Sequence, residues 1–157
     1  MTKERNKVPF GKVLLIYTDG ASRGNPGHSA LSFTLTDEEG YEYHKYSEYL
    51  GVKTNNQAEM LAVKQALDKA IEFTRGKIKV HSDSNNTVCW LNRSYRVKSE
   101  NIRPIFDEIQ KLRPNFESIE FIHLPRENAK ISICDALCNS CLDTNTGKKK
   151  SQWIGRI

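Results

Sequence analysis

Residues 13–18 (VLLIYT) form an unbroken apolar run, the pattern of a strand covered on both faces, and the run ends at Asp19. Turn chemistry follows at 22–27 (SRGNPG). Residues 31–36 and 41–50 then read as two strands joined by a turn at 37–40, giving a three-stranded antiparallel start. From Asn55 the period changes. Met60, Val63, Ala66, Leu67, Ala70 and Ile71 recur at helical spacing, which predicts a helix over 55–74 closed by Gly76. Residues 78–82 (IKVHS) alternate as a short strand, and a short helix is expected after Asp83. A helix over 101–112, a strand over 118–124 and a last helix over 130–142 complete the order βββαβααβα. Helical crossovers between later strands imply right-handed connections and parallel pairing with the first strand. The expected architecture is α/β: a five-stranded mixed sheet with helices on both faces.

Length and charge sharpen this picture. The chain has 157 residues, suited to one domain with its own core. Its +5 charge is uneven. Residues 1–12 and 143–157 each hold four Lys or Arg against one acid, a net +3, which leaves −1 for 13–142. The expected organisation is a basic N-terminal extension (1–12), a domain (13–142) and a basic C-terminal tail (143–157) ending in SQWIGRI. Basic ends of this kind read as solvated tails. The apolar run at 13–16 is too short for a membrane span or signal peptide, so a cytoplasmic protein away from membranes is expected; a monomer is expected as well. Four cysteines, three of them clustered at 134, 138 and 141, do not make a secreted disulfide scaffold, and reduced thiols are expected. Cys134, Cys138 and Cys141 fall at i, i+4 and i+7 on one helix, as small buried residues would.

Four carboxylates stand out against their surroundings. Asp19 follows a strand and precedes Gly20, which locally reads as a turn. Glu59 lies three residues after Asn56, a capping-box spacing, yet shares a helix face with Val63, Ala66 and Ala70. Asp83 ends one strand and opens a helix, as an N-cap would. Asp135 flanks the apolar stripe of the last helix with Ile131, Cys138 and Leu142. An acid in such a place is poorly tolerated without compensation. Four carboxylates aimed at one sheet repel one another unless a cation sits among them, and hard oxygen ligands suit Mg²⁺ or Mn²⁺.

The motifs YTDGASRGNPG (17–27), TNNQAE (54–59), SDS (82–84) and CDAL (134–137) resemble, in order and spacing, those of ribonuclease H type 1. The resemblance covers about 13–142 and is to the compact single-domain form of archaeal and some bacterial members. It implies a ribonuclease H-like fold in which Asp19, Glu59, Asp83 and Asp135 are catalytic and bind two Mg²⁺ ions, with Mn²⁺ a possible substitute. The implied activity is an endonuclease hydrolysing the RNA strand of an RNA/DNA hybrid to 5′-phosphate and 3′-hydroxyl ends. Two-metal hydrolysis pairs one ion with the attacking water and the other with the leaving oxygen. Asn25, Asn55 and Asn56 match positions that read the 2′-hydroxyl, which both donates and accepts hydrogen bonds. Thr54 matches a position holding a DNA phosphate; Lys98 and Ser99 fall in the segment that closes this pocket. Trp90, Arg93, Tyr95 and Arg96 interleave aromatic and basic groups as a strand-stacking platform does, or Trp90 is helix core.

The chain departs from relatives in four ways. Residues 125–133 lack the His some members place before the last carboxylate, His123 being the nearest. The basic Trp-rich insertion is missing between 92 and 101, a chain without the separate N-terminal hybrid-binding domain is expected, and 28–33 (HSALSF) lacks the glycines common there. Two other readings stay open: a catalytically weak hybrid-binding module, and another nuclease of the same fold, of resolvase, transposase or exonuclease type.

Overall fold

The computed structural model describes residues 6–147. Five strands, β1 (Leu14–Gly24), β2 (Gly27–Thr36), β3 (Glu42–Lys53), β4 (Lys77–Ser82) and β5 (Ser118–His123), form one sheet in the order β3-β2-β1-β4-β5. β1–β2 and β2–β3 are antiparallel; β4 runs parallel to β1, and β5 to β4. Four α-helices lie among the described residues: α1 (Asn55–Ala70), α2 (Asn85–Leu91), α3 (Arg103–Leu112) and α4 (Ala129–Thr146). The expected mixed α/β sheet is therefore present.

The strand period of two divides the core. Leu14 and Ile16 of β1 join Leu31, Phe33 and Leu35 of β2 against Met60, Val63 and Leu67 of α1, with Leu91 of α2 and Ile109 of α3 in the same cluster. The alternate residues face α4: Tyr17 packs with Ile131 and Cys134, and Ala30 with Cys138 and Leu142. Covered on both faces, β1 needs the continuous apolar run seen in its sequence.

Several boundaries differ from the sequence reading. β1 does not stop before Asp19; it continues to Gly24 because residues 19–24 pair with 27–32 of β2, leaving only Asn25 and Pro26 as the hairpin turn. Asp19 is thus a mid-strand residue. α1 ends at Ala70, short of 74, where the Phe73 carbonyl accepts from the Val8 amide at 2.9 Å and the chain turns to meet the N-terminal segment. α3 begins at Arg103 with Pro104 in its first turn, where a missing amide costs nothing. α4 continues past 142 to Thr146. Asp143, the expected start of the tail, is held in the helix by a 2.7 Å ion pair with Arg23 of β1. The segment SQWIGRI lies outside the described residues. Among those described, no helix is long and apolar enough to cross a membrane.

Candidate active site

Asp19 sits on the central strand, its side chain on the α4 face with Tyr17 and opposite Ser32. Its neighbour Gly20 faces α1, and the helix crosses so closely that a Cβ at 20 would lie 2.3 Å from the Ala58 carbonyl carbon and the Glu59 nitrogen. Only glycine permits that approach. Through it the Gly20 amide donates to Glu59 Oε1, fixing the carboxylate beside Asp19. Glu59 therefore does not reach back to cap its own helix: the capping box of α1 is Thr54 with Gln57.

Asp83 leaves the C-terminal end of β4, which lies parallel beside β1. The N-cap of α2 is Ser84, whose hydroxyl accepts from the Thr87 amide at 3.2 Å, so the Asp83 carboxylate is not spent on capping. Carboxylate oxygens of Asp19, Glu59 and Asp83 lie within 4.8 Å of one another. Asp135 stands outside this trio but lines the same cavity of about 590 Å³, from α4.

The electrostatics of the cluster are unfavourable as it stands. Asp19 is 5% exposed and Glu59 6%. Burial, then the charges of Asp83 and Asp135, push the Asp19 carboxyl from 3.8 up to about 7, against the opposing hydrogen bonds of Glu59 and the Gly20 amide. Burial, then Asp19 and Asp83, hold Glu59 well above the usual carboxylate range. A donor set of carboxylate oxygens alone, carrying more negative charge than its surroundings balance, fits a hard divalent cation. Softer donors are nearby but engaged. The Cys138 thiol contacts Ser32 Oγ at 3.4 Å and the Cys134 thiol contacts the Tyr17 carbonyl at 3.4 Å, and burial pushes Cys134 up to about 12. All four cysteines are free thiols.

The residues expected to touch substrate divide into two groups. Asn55 and Asn56 line the carboxylate cavity. Asn25, at the hairpin tip, sits beside it and accepts from the Asn55 amide at 2.9 Å; Thr54 caps α1, its hydroxyl accepting from the Gln57 amide at 3.1 Å. Lys98 and Ser99 do not line the cavity. They are exposed in the connection before α3, where the Ser99 carbonyl accepts from the Arg103 amide at 3.0 Å. His123 faces the Asp83 backbone carbonyl, with Nε2 at 3.2 Å, and does not line the cavity.

Sequence reasoning missed Arg126, Asn85 and Asn86, which also line the cavity. Arg126 is the cation among the lining residues and lies in the loop where a His was sought; its charge was the available signal. Trp90 is half-buried against the core and, with Arg93, Tyr95 and Arg96, lines a separate groove of about 530 Å³. Both readings of Trp90 therefore have a physical basis. The Tyr95 hydroxyl, 3.5 Å from Asn85 Nδ2, connects groove and cavity.

A mixed sheet of this order, with an acid on the central strand, acids from the neighbouring parallel strand and from helices on both faces around it, defines a ribonuclease H-fold protein with an acidic site. Residues 17–141 match the reverse transcriptase-like family. Ribonuclease HI of Halobacterium salinarum is 33% identical over 127 residues, 81% of this chain, which spans 63% of that protein's length. EbsB of Enterococcus faecalis is 33% identical over 141 residues, 88% of this chain and all of that protein. The structure of LC11-RNase H1 in complex with an RNA/DNA hybrid has a TM-score of 0.79 at 32% identity, covering 85% of this chain and 99% of that one. The chain belongs to the ribonuclease H type 1 family, a family of nucleases.

Proposed function

We propose that the protein is an endonuclease that hydrolyses the RNA strand of RNA/DNA hybrids, with two divalent ions held by Asp19, Glu59, Asp83 and Asp135, leaving 5′-phosphate and 3′-hydroxyl ends. The observation that carries this reading is the composition of one cavity: buried carboxylates at its floor, side-chain amides of Asn55 and Asn56 at its rim. The complex of LC11-RNase H1 with a hybrid supports the substrate class.

When bound, divalent ions supply activation of water and stabilisation of the leaving oxygen. The chain's own residues supply the rest. Asp19 feels the charges of both Asp83 and Asp135, which suits it to the position shared between the two halves of the cluster. Glu59 is oriented by the Gly20 amide and cannot swing away without losing that bond. Amides both donate and accept, so Asn55 and Asn56 match a 2′-hydroxyl as a DNA strand would not. Asn25 holds the backbone of Asn55 and so positions the reader. Arg126 offers a phosphate contact beside the acids, and the Arg93, Tyr95 and Arg96 groove offers a track for the second strand.

The test is cleavage of end-labelled RNA/DNA hybrid, duplex RNA and duplex DNA with Mg²⁺, with Mn²⁺ and with chelator, alongside Asp19→Asn. Metal-dependent cutting of the hybrid's RNA strand, lost in the variant, is the expected result. Cleavage that survives chelation or the substitution refutes the metal assignment, and equal cleavage of duplex DNA refutes the 2′-hydroxyl reading.

A further inference from the structure

Asp19 and Asp83 are fixed by the sheet, and Glu59 by the Gly20 amide, whereas Asp135 is carried by α4 and stands outside the trio. Its place relative to the other acids is therefore set by where α4 lies along its own axis. A helix advances about 1.5 Å per residue, so a slide of a single residue is enough to change which carboxylates share a ligand. Asp135 and Asp19 also repel one another, which favours such a slide while no cation lies between them.

Apolar packing resists that slide weakly near the site. Beyond Asp135 the helix rests on the sheet through Cys138 against Ala30, with Ala21 beside them. Small side chains make shallow ridges and grooves. Polar contacts fasten the helix instead, on both sides of the carboxylate. Ser32, in the glycine-poor segment 28–33 and paired across the sheet with Asp19, donates from Oγ to the Cys134 carbonyl at 2.7 Å. Arg23 Nη2 donates to the Asn139 carbonyl at 3.3 Å and to Asp143 Oδ1 at 2.7 Å, with Asn139 Oδ1 at 3.4 Å. Asn139 Nδ2 in turn donates to the Asp135 carbonyl at 3.0 Å. Both members of the Arg23–Asp143 pair are mostly shielded from solvent, where a charge-assisted bond is least screened.

Arg23 itself does not line the carboxylate cavity. It follows Asp19 by four residues on β1, about 13 Å at the rise of a strand, and so acts on the site only through α4.

We propose that Arg23 is a positioning residue for Asp135: its guanidinium fixes α4 against the strand that carries Asp19 and so sets where Asp135 meets the other three carboxylates. The inference rests on the divalent-ion reading above and adds a requirement to it, that ion affinity depends on a cation outside the ion's own cavity. Lysine keeps the charge at this position but not the planar donor geometry that serves Asn139 and Asp143 together.

The test is calorimetric titration of Mn²⁺ into the full chain without nucleic acid, for the wild type, Arg23→Met and Arg23→Lys, with hybrid cleavage followed across Mg²⁺ concentration in the same proteins. Arg23→Met should weaken Mn²⁺ binding about tenfold or more and raise the Mg²⁺ requirement for cleavage by a similar factor, with KM for the hybrid unchanged. Arg23→Lys should lose about threefold. The control for general destabilisation is Arg113→Met, which removes a guanidinium that contacts Leu91 of α2 and Phe121 of β5; it should lower the melting temperature and move neither metal curve. Wild-type Mn²⁺ affinity in Arg23→Met overturns the proposal, as does equal weakening in Arg113→Met. Should Arg23→Met not fold, wild-type affinity in Arg23→Lys overturns it instead. A wild type that binds no Mn²⁺ overturns the divalent-ion reading and this inference together, an outcome distinct from one in which only the Arg23 variants behave as wild type.

Discussion

Asp19→Asn should stabilise the metal-free protein while abolishing its response to metal. Asp19 is 5% exposed, and its carboxyl is moved from 3.8 to about 7, chiefly by burial and then by Asp83 and Asp135. A raised pKa means the folded state holds the proton more tightly than the unfolded chain. The associated stability is complete below pH 4 and is lost as pH rises through about 7. At 1.36 kcal/mol per pH unit, the full loss is about 4 kcal/mol. Glu59, shifted in the same direction, steepens the decline. An amide removes the charge but keeps the shape, and the remaining acids still repel one another, so about half the figure, roughly 2 kcal/mol, is a fair expectation. For a chain of this length that corresponds to a melting temperature about 4–8 °C higher. The assay is thermal unfolding between pH 5 and 8.5, in chelator and in Mg²⁺. The wild type should lose stability with rising pH in chelator and regain it with Mg²⁺; the variant should melt higher in chelator at pH 8 and show little gain with the ion. A variant melting at or below the wild type in chelator at pH 8, or a wild-type profile flat across that range, would refute the account of a cluster strained by its own charge.

Gly20→Ala places a methyl group 2.3 Å from the backbone of Ala58 and Glu59, so α1 must move; a loss of about 1–3 kcal/mol in urea unfolding is expected, with activity falling further because Glu59 shifts. Arg23 and Asp143 pair at 2.7 Å with side chains 13% and 21% exposed, and a double-mutant cycle should return a coupling of about 1 kcal/mol or more; a value near zero would mean α4 is held to Thr146 by packing alone. Arg126→Ala should raise KM and reduce the salt slope of hybrid binding by about one while leaving the melting temperature unchanged, as the side chain is exposed. The same slope measured for Lys98→Ala decides whether that exposed lysine reaches the DNA strand, an unchanged slope excluding it. Iodoacetamide at pH 8 should leave Cys134 unmodified in the folded protein, its thiol being pushed up to about 12, and rapid labelling would contradict its burial.

Two of the four carboxylates, Glu59 and Asp135, were legible in the sequence as conflicts because they flank the apolar stripes of otherwise well-patterned helices, whereas Asp19 and Asp83 fit their settings as a turn and an N-cap and were singled out by the family motifs. Conflict between a residue and its local setting is visible in the sequence alone. The capping roles were harder to apportion, because Thr54 or Asn56, and Asp83 or Ser84, offer equivalent oxygens one or two residues apart, and only the helix's first turn selects between them. The extension of β1 past Asp19 was not legible for a different reason: residues 19–24 are stabilised by pairing with β2, and SRGNPG is locally as good a turn as a strand. Asp143 likewise looked like the start of a tail until Arg23, far away in sequence, supplied its partner. The residues proposed to touch substrate mark the limit. Lys98 and Ser99 break no local rule, since exposed polar groups in a loop satisfy every one, and only the family motif drew attention to them; the fold keeps both outside the cavity. Arg126 breaks no rule either, yet it lines the cavity because the loop from β5 into α4 returns it to the acids. Local conflict thus marks buried acids on patterned helices, whereas the groups proposed to grip a ligand become visible only when the fold brings them beside those acids.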